Sequence, residues 1–259
     1  FLVWFVGKKR LVWESHEGKL NLPARRVLKA GIQCVCISEG IRDRYVANGY
    51  PPENFLVAHD AVDQSFFGTL ETKEQARKRL GLDINKKLVG YIGGFDKWKG
   101  VETFFAAAKH CPGIQFVAIG GKHDENSMYK EKYPTVAFLG PLPYKDLPHN
   151  QQAIDVLVIP NTAQNSLAAS FTSPLKLFAH MSSGIPLVIS DVPSLVSVTG
   201  SELVSIFTPD DPDDLAKKIS LVFAAYQIKK ENAKMLKESS RQYTWSKRAE
   251  NIATFISTA

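Results

Sequence analysis

Three stretches of this 259-residue chain combine small residues with cations or hydroxyls in a way that suits an anionic ligand. In GYIGGFDKWKGVETF, residues 90–104, an apolar run ends in Gly93-Gly94, a short loop carries Lys97 and Lys99, and Gly100 precedes a helical pattern. Glycines let backbone N–H groups close on a phosphate, and the two ammonium groups supply charge, so a diphosphate fits. The spacing matches neither G-x-G-x-x-G nor the Walker pattern, and a plain strand-to-helix turn with surface lysines is the alternative. FVAIGGKHDE, residues 116–125, repeats the arrangement with Gly121 and Lys122, again with a plain turn as the alternative. In TSPLKLFAHMSSGIPLVIS, residues 172–190, a helix is expected to start near Ser173-Pro174 with Pro inside its first turn, and Leu175 follows. Unpaired N–H groups at such a start suit a phosphate or sugar hydroxyls, and an ordinary capped helix is the alternative.

These stretches need a scaffold, and the apolar pattern supplies one. Strands are expected at Leu11–Glu14, Cys34–Ser38, Phe55–Ala58, Leu88–Gly93, Gln115–Gly120, Val136–Leu139, Val156–Pro160, Leu187–Ser190 and Leu203–Phe207. Between most of them lies one helical segment, such as Val101–His110 or Asp213–Tyr226. That rhythm is the signature of βαβ units and a parallel sheet, and near-continuous apolar runs mark strands covered on both faces. The fold expected is therefore α/β, a doubly wound parallel sheet, whose ligands sit beyond the carboxyl ends of the strands. The stretch His59–Phe67, which contains the turn-rich HDAVDQSF, is the best domain boundary, before a helix with Thr72 and Glu74 near its start.

Composition sets the bounds. With 44% hydrophobic residues the chain can bury one large or two modest cores, and no apolar run reaches the roughly 20 residues of a membrane span. Three cysteines are an odd number, and Cys34 and Cys36 sit two apart in one strand, poor geometry for a disulfide. Buried thiols in a reducing cytosol are expected. The net charge is +6, with Lys229, Lys230, Lys234, Lys237, Arg241, Lys247 and Arg248 concentrated near the C-terminus. A solvated helix face is the first reading of that run, ahead of an anionic membrane surface or nucleic acid. The apolar Phe1–Val6 is followed by Gly-Lys-Lys-Arg without a cleavage-site pattern, which reads as a chain beginning inside a domain.

Taken in order, these segments resemble retaining, GT-B-fold glycosyltransferases of family 4, the group 1 class. TSPLKLFAHMSSGIPLVISDVPS is similar to the family's donor segment, and YIGGFDKWKGVETFFAAA to its first donor-domain strand, phosphate loop and Lys-Gly helix start. VAFLGPLPYKDLP, DVLVIPN, FTPDDPDDLAKKI and YTWSKRAENIATFI resemble later segments; LVWESHE, CVCISEGIRDRYVANGY and HDAVD resemble the end of an acceptor-binding domain and the connection out of it. The resemblance implies a Rossmann-like donor-binding domain at 59–242, an incomplete N-terminal acceptor-binding portion at 1–58, and a helix at 243–259 crossing back to it. It implies transfer of a sugar from a UDP-, GDP- or ADP-sugar to a glycan or lipid-linked acceptor, with retention and without a metal or other cofactor. Nucleic acid is not an implied partner; the cytoplasm, including the inner face of a membrane, is the implied location. Lys99 and Lys97 would neutralise the donor diphosphate together with Gly94 and the Ser173-Pro174-Leu175 start. His16 would face the sugar, a strand-end cap being the plain alternative, and Gly121, Lys122 and the loop after Gly140 would lie near the nucleoside.

The sequence also departs from the pattern. The family's acidic pair, eight residues apart, is here Phe171 and Ala179, and neither can accept a ribose hydroxyl. Losing one charge-assisted hydrogen bond costs roughly 1.5 to 3 kcal/mol, about ten- to hundred-fold in affinity. His180 points about 100° away from position 179 on an ideal helix. Gly94 stands where many members carry Arg, and Ala61 replaces a Gly in the connection. A catalytically degenerate relative that binds a nucleotide or a partner is the alternative function.

Overall fold

The computed structural model describes residues 11–257, the side chains of residues 166–168 excepted. The Phe1–Val6 run and the basic residues after it, with the start of the 1–58 portion, lie outside the described residues. The strands form two all-parallel sheets. β1 (Val12–Ser15), β2 (Gln33–Cys36) and β3 (Phe55–Val57) pair in chain order. β4 (Lys87–Gly93), β5 (Ile114–Gly120), β6 (Val136–Gly140), β7 (Val156–Ile159), β8 (Leu187–Ser190) and β9 (Ser205–Phe207) pair in the order β6-β5-β4-β7-β8-β9. The chain winds outward from β4 to β6, then returns to β7 on the other flank of β4, which is the topological reversal of a doubly wound Rossmann-like sheet. At that reversal β4 and β7 pair only at Val89–Val156 and Gly90–Leu157, whereas β4 stays paired with β5 as far as Gly93–Gly120. The carboxyl ends of β4 and β7 therefore part, and a crevice opens between them.

Each of the nine expected strands appears, with ends shifted by up to two residues. Alternation along the strands divides the apolar residues between two faces. Leu88, Ile92, Val117, Ile119, Leu157, Ile159, Leu187 and Ile189 belong to one core. Val89, Tyr91, Phe116, Ala118, Val156, Val158 and Val188 belong to the other. Helices cover both. α3 (Lys73–Leu80), α8 (Leu175–Met181), α9 (Pro193–Thr199) and α11 (Tyr226–Ser240) contribute Ala76, Leu177, Phe178, Met181, Leu195 and Leu236 to the first face. α4 (Val101–Ala107), α5 (His123–Lys132) and α10 (Pro212–Ala224) contribute Phe104, Phe105, Tyr129, Leu215 and Ile219 to the second. Burial on both faces explains why these strands read as unbroken apolar runs.

Three helical expectations need correction. The segment 213–226 is not one helix: α10 ends at Ala224, and α11 starts at Tyr226 after Ala225 leaves helical geometry. The segment 101–110 tightens to a 3-10 turn from Ala108. Pro174 lies one residue before α8 as its extended cap, not inside the first turn, and Leu177 N–H donates to its carbonyl at 2.8 Å. α3 begins as expected, with Thr72 and Gln75 forming a reciprocal capping box.

The small sheet is tied to the large one at several points. Val62 bridges Thr244, and α12 (Trp245–Ser257) returns to the small sheet, where Arg248 pairs with Glu14 at 2.7 Å and Gln33 donates to Phe255 O at 2.9 Å. α2 (Glu39–Ala47) and the helix Ser166–Phe171, α7, meet where Ser38 Oγ donates to Phe171 O at 3.1 Å and Arg44 lies over the Phe171 ring. Cys34 and Cys36 are buried free thiols whose Sγ atoms lie 3.9 Å apart, and burial together with their contact raises the Cys34 pKa. Among the described residues no helix is long and apolar enough to cross a membrane.

Candidate functional site

The site is built at the strand reversal. β4 ends in Gly93-Gly94, and the Tyr91 hydroxyl donates to Gly94 O at 2.5 Å, holding the turn from below. Phe95 anchors the far side in the second core, edge-on to Phe105 and Tyr129. β5 ends beside it, with Gly121 N–H donating to Gly93 O at 3.2 Å. Gly120, at φ +123°, approaches so closely that a Cβ would lie 2.1 Å from Gly93 O. The two Gly-Gly strand ends thus pack backbone to backbone, which only glycine permits.

Above them is a cavity of about 340 Å³ lined by the two glycine pairs, Ile92, Ile119, the Pro141–Tyr144 loop, Leu147, Asn150, Leu175 and Lys176. Its body is apolar and its side-chain polar groups are few: Tyr144, Asn150 and Lys176. No carboxylate lines it. Such a pocket suits a flat, partly apolar ligand with an anionic end at the glycines and the lysine. Asn150 is held by Arg79, which donates to its Oδ1 at 2.9 Å, so the amide is fixed in orientation.

Two ammonium groups flank Gly93-Gly94. Lys99 pairs with Asp96 at 2.6 Å. Lys176, in the first turn of α8, donates to the Tyr91 hydroxyl at 3.2 Å and sits over its ring, 4.7 Å from the centroid. Burial, reinforced by the Lys99 charge and opposed by Asp96, pushes the Lys176 ammonium down to about 7.

The residues singled out in the sequence divide into groups. Gly94, Gly121 and Leu175 line the cavity, and Lys99 stands at its Gly94 edge. Lys97 does not join Lys99: in the 3-10 turn Lys97–Lys99 the two diverge, and Lys97 lines a separate cavity of about 510 Å³ with Trp98, Thr103, Thr162, Gln164 and Asp210. Lys122 is exposed, its backbone N–H held by Glu125 at 2.7 Å, and it lines neither cavity. Ser173 is buried with its hydroxyl accepting from Asp60 N–H at 2.8 Å, and Pro174 is buried beside it, so this pair fixes the helix start. Ala179 is fully buried in the first core, outside the cavity lining.

His180 offers no substitute for a carboxylate at 179. Gln151 donates both to Ala179 O at 3.0 Å and to His180 Nδ1 at 2.7 Å, and burial lowers the imidazole to about 3 with help from the Lys176 charge. The ring is neutral and locked in the core. His16 is exposed at the end of β1 and paired with Glu14 at 3.0 Å; burial raises the pKa of nearby Asp60, with Arg248 and then His16 opposing the rise. Asp60 in turn binds Ser173, so His16 lies on the side of the helix start that faces the small sheet. Tyr144 belongs to the loop after Gly140 that was expected near the ligand, whereas Lys176, Tyr91 and Asn150 were not singled out in the sequence. Lys176 alone had a legible signal, as a cation within the first turn of a helix read as an anion site.

The chain is thus a doubly wound, Rossmann-like parallel sheet with a glycine-walled, lysine-bearing cavity beyond the carboxyl ends of β4 and β5. Residues 86–224 match the family model described as glycosyl transferases group 1, and the chain belongs to that family. It is 25% identical over 183 residues to a D-inositol 3-phosphate glycosyltransferase of Corynebacterium aurimucosum, covering 62% of this chain and 43% of that protein. It is 24% identical over 215 residues to a putative teichuronic acid biosynthesis glycosyltransferase, TuaH, of Bacillus subtilis, covering 80% and 52%. The chain thus spans about half the length of these curated relatives. Its fold is similar to that of Anabaena HepE solved with UDP-glucose, with a TM-score of 0.79 and 18% identity over 100% of this chain and 75% of that one. A sucrose-phosphate synthase of Thermosynechococcus elongatus gives 0.75 and 19% over 95% and 67%.

Proposed function

We propose that this chain carries the donor site of a retaining, family 4 glycosyltransferase that moves a sugar from a nucleotide-diphosphate sugar to a glycan or lipid-linked acceptor. The observation that carries the reading is the 340 Å³ cavity above the carboxyl ends of β4 and β5, walled by two glycine strand ends, by the Pro141–Tyr144 loop and by Leu175 and Lys176. The nucleoside would lie against Gly121 and the Pro141–Tyr144 loop, and the diphosphate against Gly94 and Lys99. In the reaction the bond from the anomeric carbon to the diphosphate oxygen breaks, a bond to the acceptor oxygen forms on the same face, and the acceptor proton passes to the leaving diphosphate. Fixed cations and N–H groups at the diphosphate stabilise the negative charge that grows as that bond breaks. His16 would stand on the sugar's side. Support comes from the family membership, from relatives named as glycosyltransferases, and from a fold neighbour solved with UDP-glucose. The C-terminal basic run gives little support for a lipid surface, because Lys234, Arg241, Lys247 and Arg248 each pair with a carboxylate.

A second reading has its own observation. Phe171 and Ala179 both serve packing, Phe171 against the small sheet's core and Ala179 in the large one, so a degenerate relative that binds a nucleotide without transfer is consistent with them. Calorimetric binding of UDP-, GDP- and ADP-sugars to this chain tests the donor site, and release of the nucleoside diphosphate from the bound sugar nucleotide separates the two readings. Micromolar binding selective for one base supports the donor site. Binding without release of the nucleoside diphosphate supports the degenerate reading, and no binding removes the donor-site proposal.

A further inference from the structure

Gly93-Gly94 offers an anion backbone N–H groups and no side-chain charge. The geometry brings that charge from two sides. A Cβ on Gly94 would lie 2.9 Å from Lys99 Nζ and 3.1 Å from Asp96 Oδ2; a Cβ on Gly93 would lie 3.5 Å from Lys176 Nζ and 3.2 Å from the Tyr91 hydroxyl. The glycine pair is therefore bracketed by Lys99 from its own loop and Lys176 from α8. The two lysines differ in their partners. Lys99 is neutralised by Asp96, whereas among the described residues Lys176 has no ion pair and lines the cavity itself.

We propose that Lys176 is the second cation of the diphosphate clamp, delivered from α8 in place of a side chain at position 94, with Tyr91 as the residue that positions it. This rests on the donor-site reading above. Tyr91 suits that role because its hydroxyl donates to Gly94 O while accepting from Lys176, so one phenol fixes both the glycine turn and the ammonium.

The proposal has a protonic consequence. The groups facing Lys176 are Tyr91 on β4, Asp96 and Lys99 in the loop after it, and His180 on α8 itself; Lys122 acts on Asp96, and Glu125 acts on Tyr91, from around the start of α5. Tyr91 is held un-ionised by burial and His180 is neutral, so neither compensates the ammonium. With its pKa at about 7, Lys176 is only partly charged in the free protein at neutral pH. A bound diphosphate favours the ammonium, so binding above neutrality draws a proton from solvent, and affinity falls as pH rises between the free and bound values. A sugar nucleotide is a diphosphate diester without the terminal phosphate ionisation near pH 6 found in phosphomonoesters, so the proton is the protein's own.

The test is calorimetry of UDP-glucose, GDP-mannose, ADP-glucose and inorganic pyrophosphate on the whole chain, Lys176→Met and Lys176→Arg. Sugar-nucleotide titrations are run at about pH 6 and about pH 8.5 in buffers of different ionisation enthalpy. The wild type should bind its sugar nucleotide about tenfold more weakly at the higher pH, with net proton uptake. Lys176→Met should lose about tenfold at the lower pH and become insensitive to pH; Lys176→Arg should keep the affinity and lose the pH dependence. Unchanged affinity and proton uptake in Lys176→Met would overturn the proposal while leaving the donor site standing. Pyrophosphate binding that weakens in Lys176→Met, without sugar-nucleotide binding, would support the clamp and remove the nucleoside reading. Equal pyrophosphate binding in both, or none in the wild type, would overturn the clamp. Thermal unfolding of the variants shows that each is folded.

Discussion

Gly100 lies against Pro160: its φ is +62°, and a Cβ placed on it would stand 1.8 Å from the Pro160 carbonyl oxygen. This contact locks the loop leaving β4 to the loop leaving β7, and Thr162 N–H, donating to Trp98 O at 3.3 Å, repeats the link. The crevice that the diverging strands open is thereby held at a fixed width. The glycine before α4 is thus needed as much by its neighbour across the reversal as by the helix it starts.

Gly100→Ala should therefore both strain the left-handed backbone and push the two loops apart. A loss of at least about 1 to 2 kcal/mol is expected from the backbone alone, read as a fall in the urea midpoint. Sugar-nucleotide affinity should fall with it. An unchanged midpoint would show that the loops are not locked by this contact.

Asp155 holds the start of β7 to α3. Its carboxylate accepts from Arg77 at 2.7 Å, from Lys73 at 2.5 Å and from Leu88 N–H at 2.8 Å. Burial opposes its ionisation, but those hydrogen bonds and the two cations outweigh it and hold the carboxyl below its ordinary range. A lowered folded-state pKa means that the stabilisation is complete above the unfolded value, near pH 4, and is lost as pH falls through the folded one. Asp155→Ala leaves the buried Arg77 guanidinium unpaired and should cost about 3 to 5 kcal/mol. Thermal unfolding from neutral pH down to about pH 3 should show a shallower acid dependence in a folded Asp155→Asn variant than in the wild type.

Phe171 joins the end of α7 to the small sheet. Its ring packs on the core of Cys34, Ile41 and Tyr45, with the Arg44 guanidinium 5.3 Å from its centroid. Truncating this partly buried side chain in Phe171→Ala should cost about 1 to 2 kcal/mol. Hydrogen exchange should rise selectively in β2 and α2, with β4 and β5 unchanged. Uniform exchange across both sheets would contradict a local coupling.

The strands were legible because they are buried on both faces, so Leu88–Ile92 and Val156–Ile159 read as strands without any knowledge of their neighbours. The Gly93-Gly94 and Gly120-Gly121 ends were legible for a related reason: close backbone approach leaves glycine as its trace. Side-chain direction in short turns was not. Lys97 and Lys99 look equivalent in the sequence, yet from one 3-10 turn Lys97 lines the 510 Å³ cavity while Lys99 pairs with Asp96 beside Gly94. Lys176 was legible as a cation in the first turn of α8, but its docking on Tyr91 was not, because that contact joins residues 85 apart in the chain. The break at Ala225 had no glycine or proline to mark it. It arises where α11 turns back to cover the first core with Ala233 and Leu236.

The proposed donor site puts a sugar nucleotide in the cavity above the carboxyl ends of β4 and β5. Amide chemical-shift mapping of the isotopically labelled chain, with the sugar nucleotide selected by calorimetry, reads its position directly. The largest shifts are expected at Gly93, Gly94, Gly120, Gly121, Leu175 and Lys176, saturating with the calorimetric affinity. Shifts confined to the Thr162, Gln164 and Asp210 cavity, or spread along the exposed helices, would contradict it.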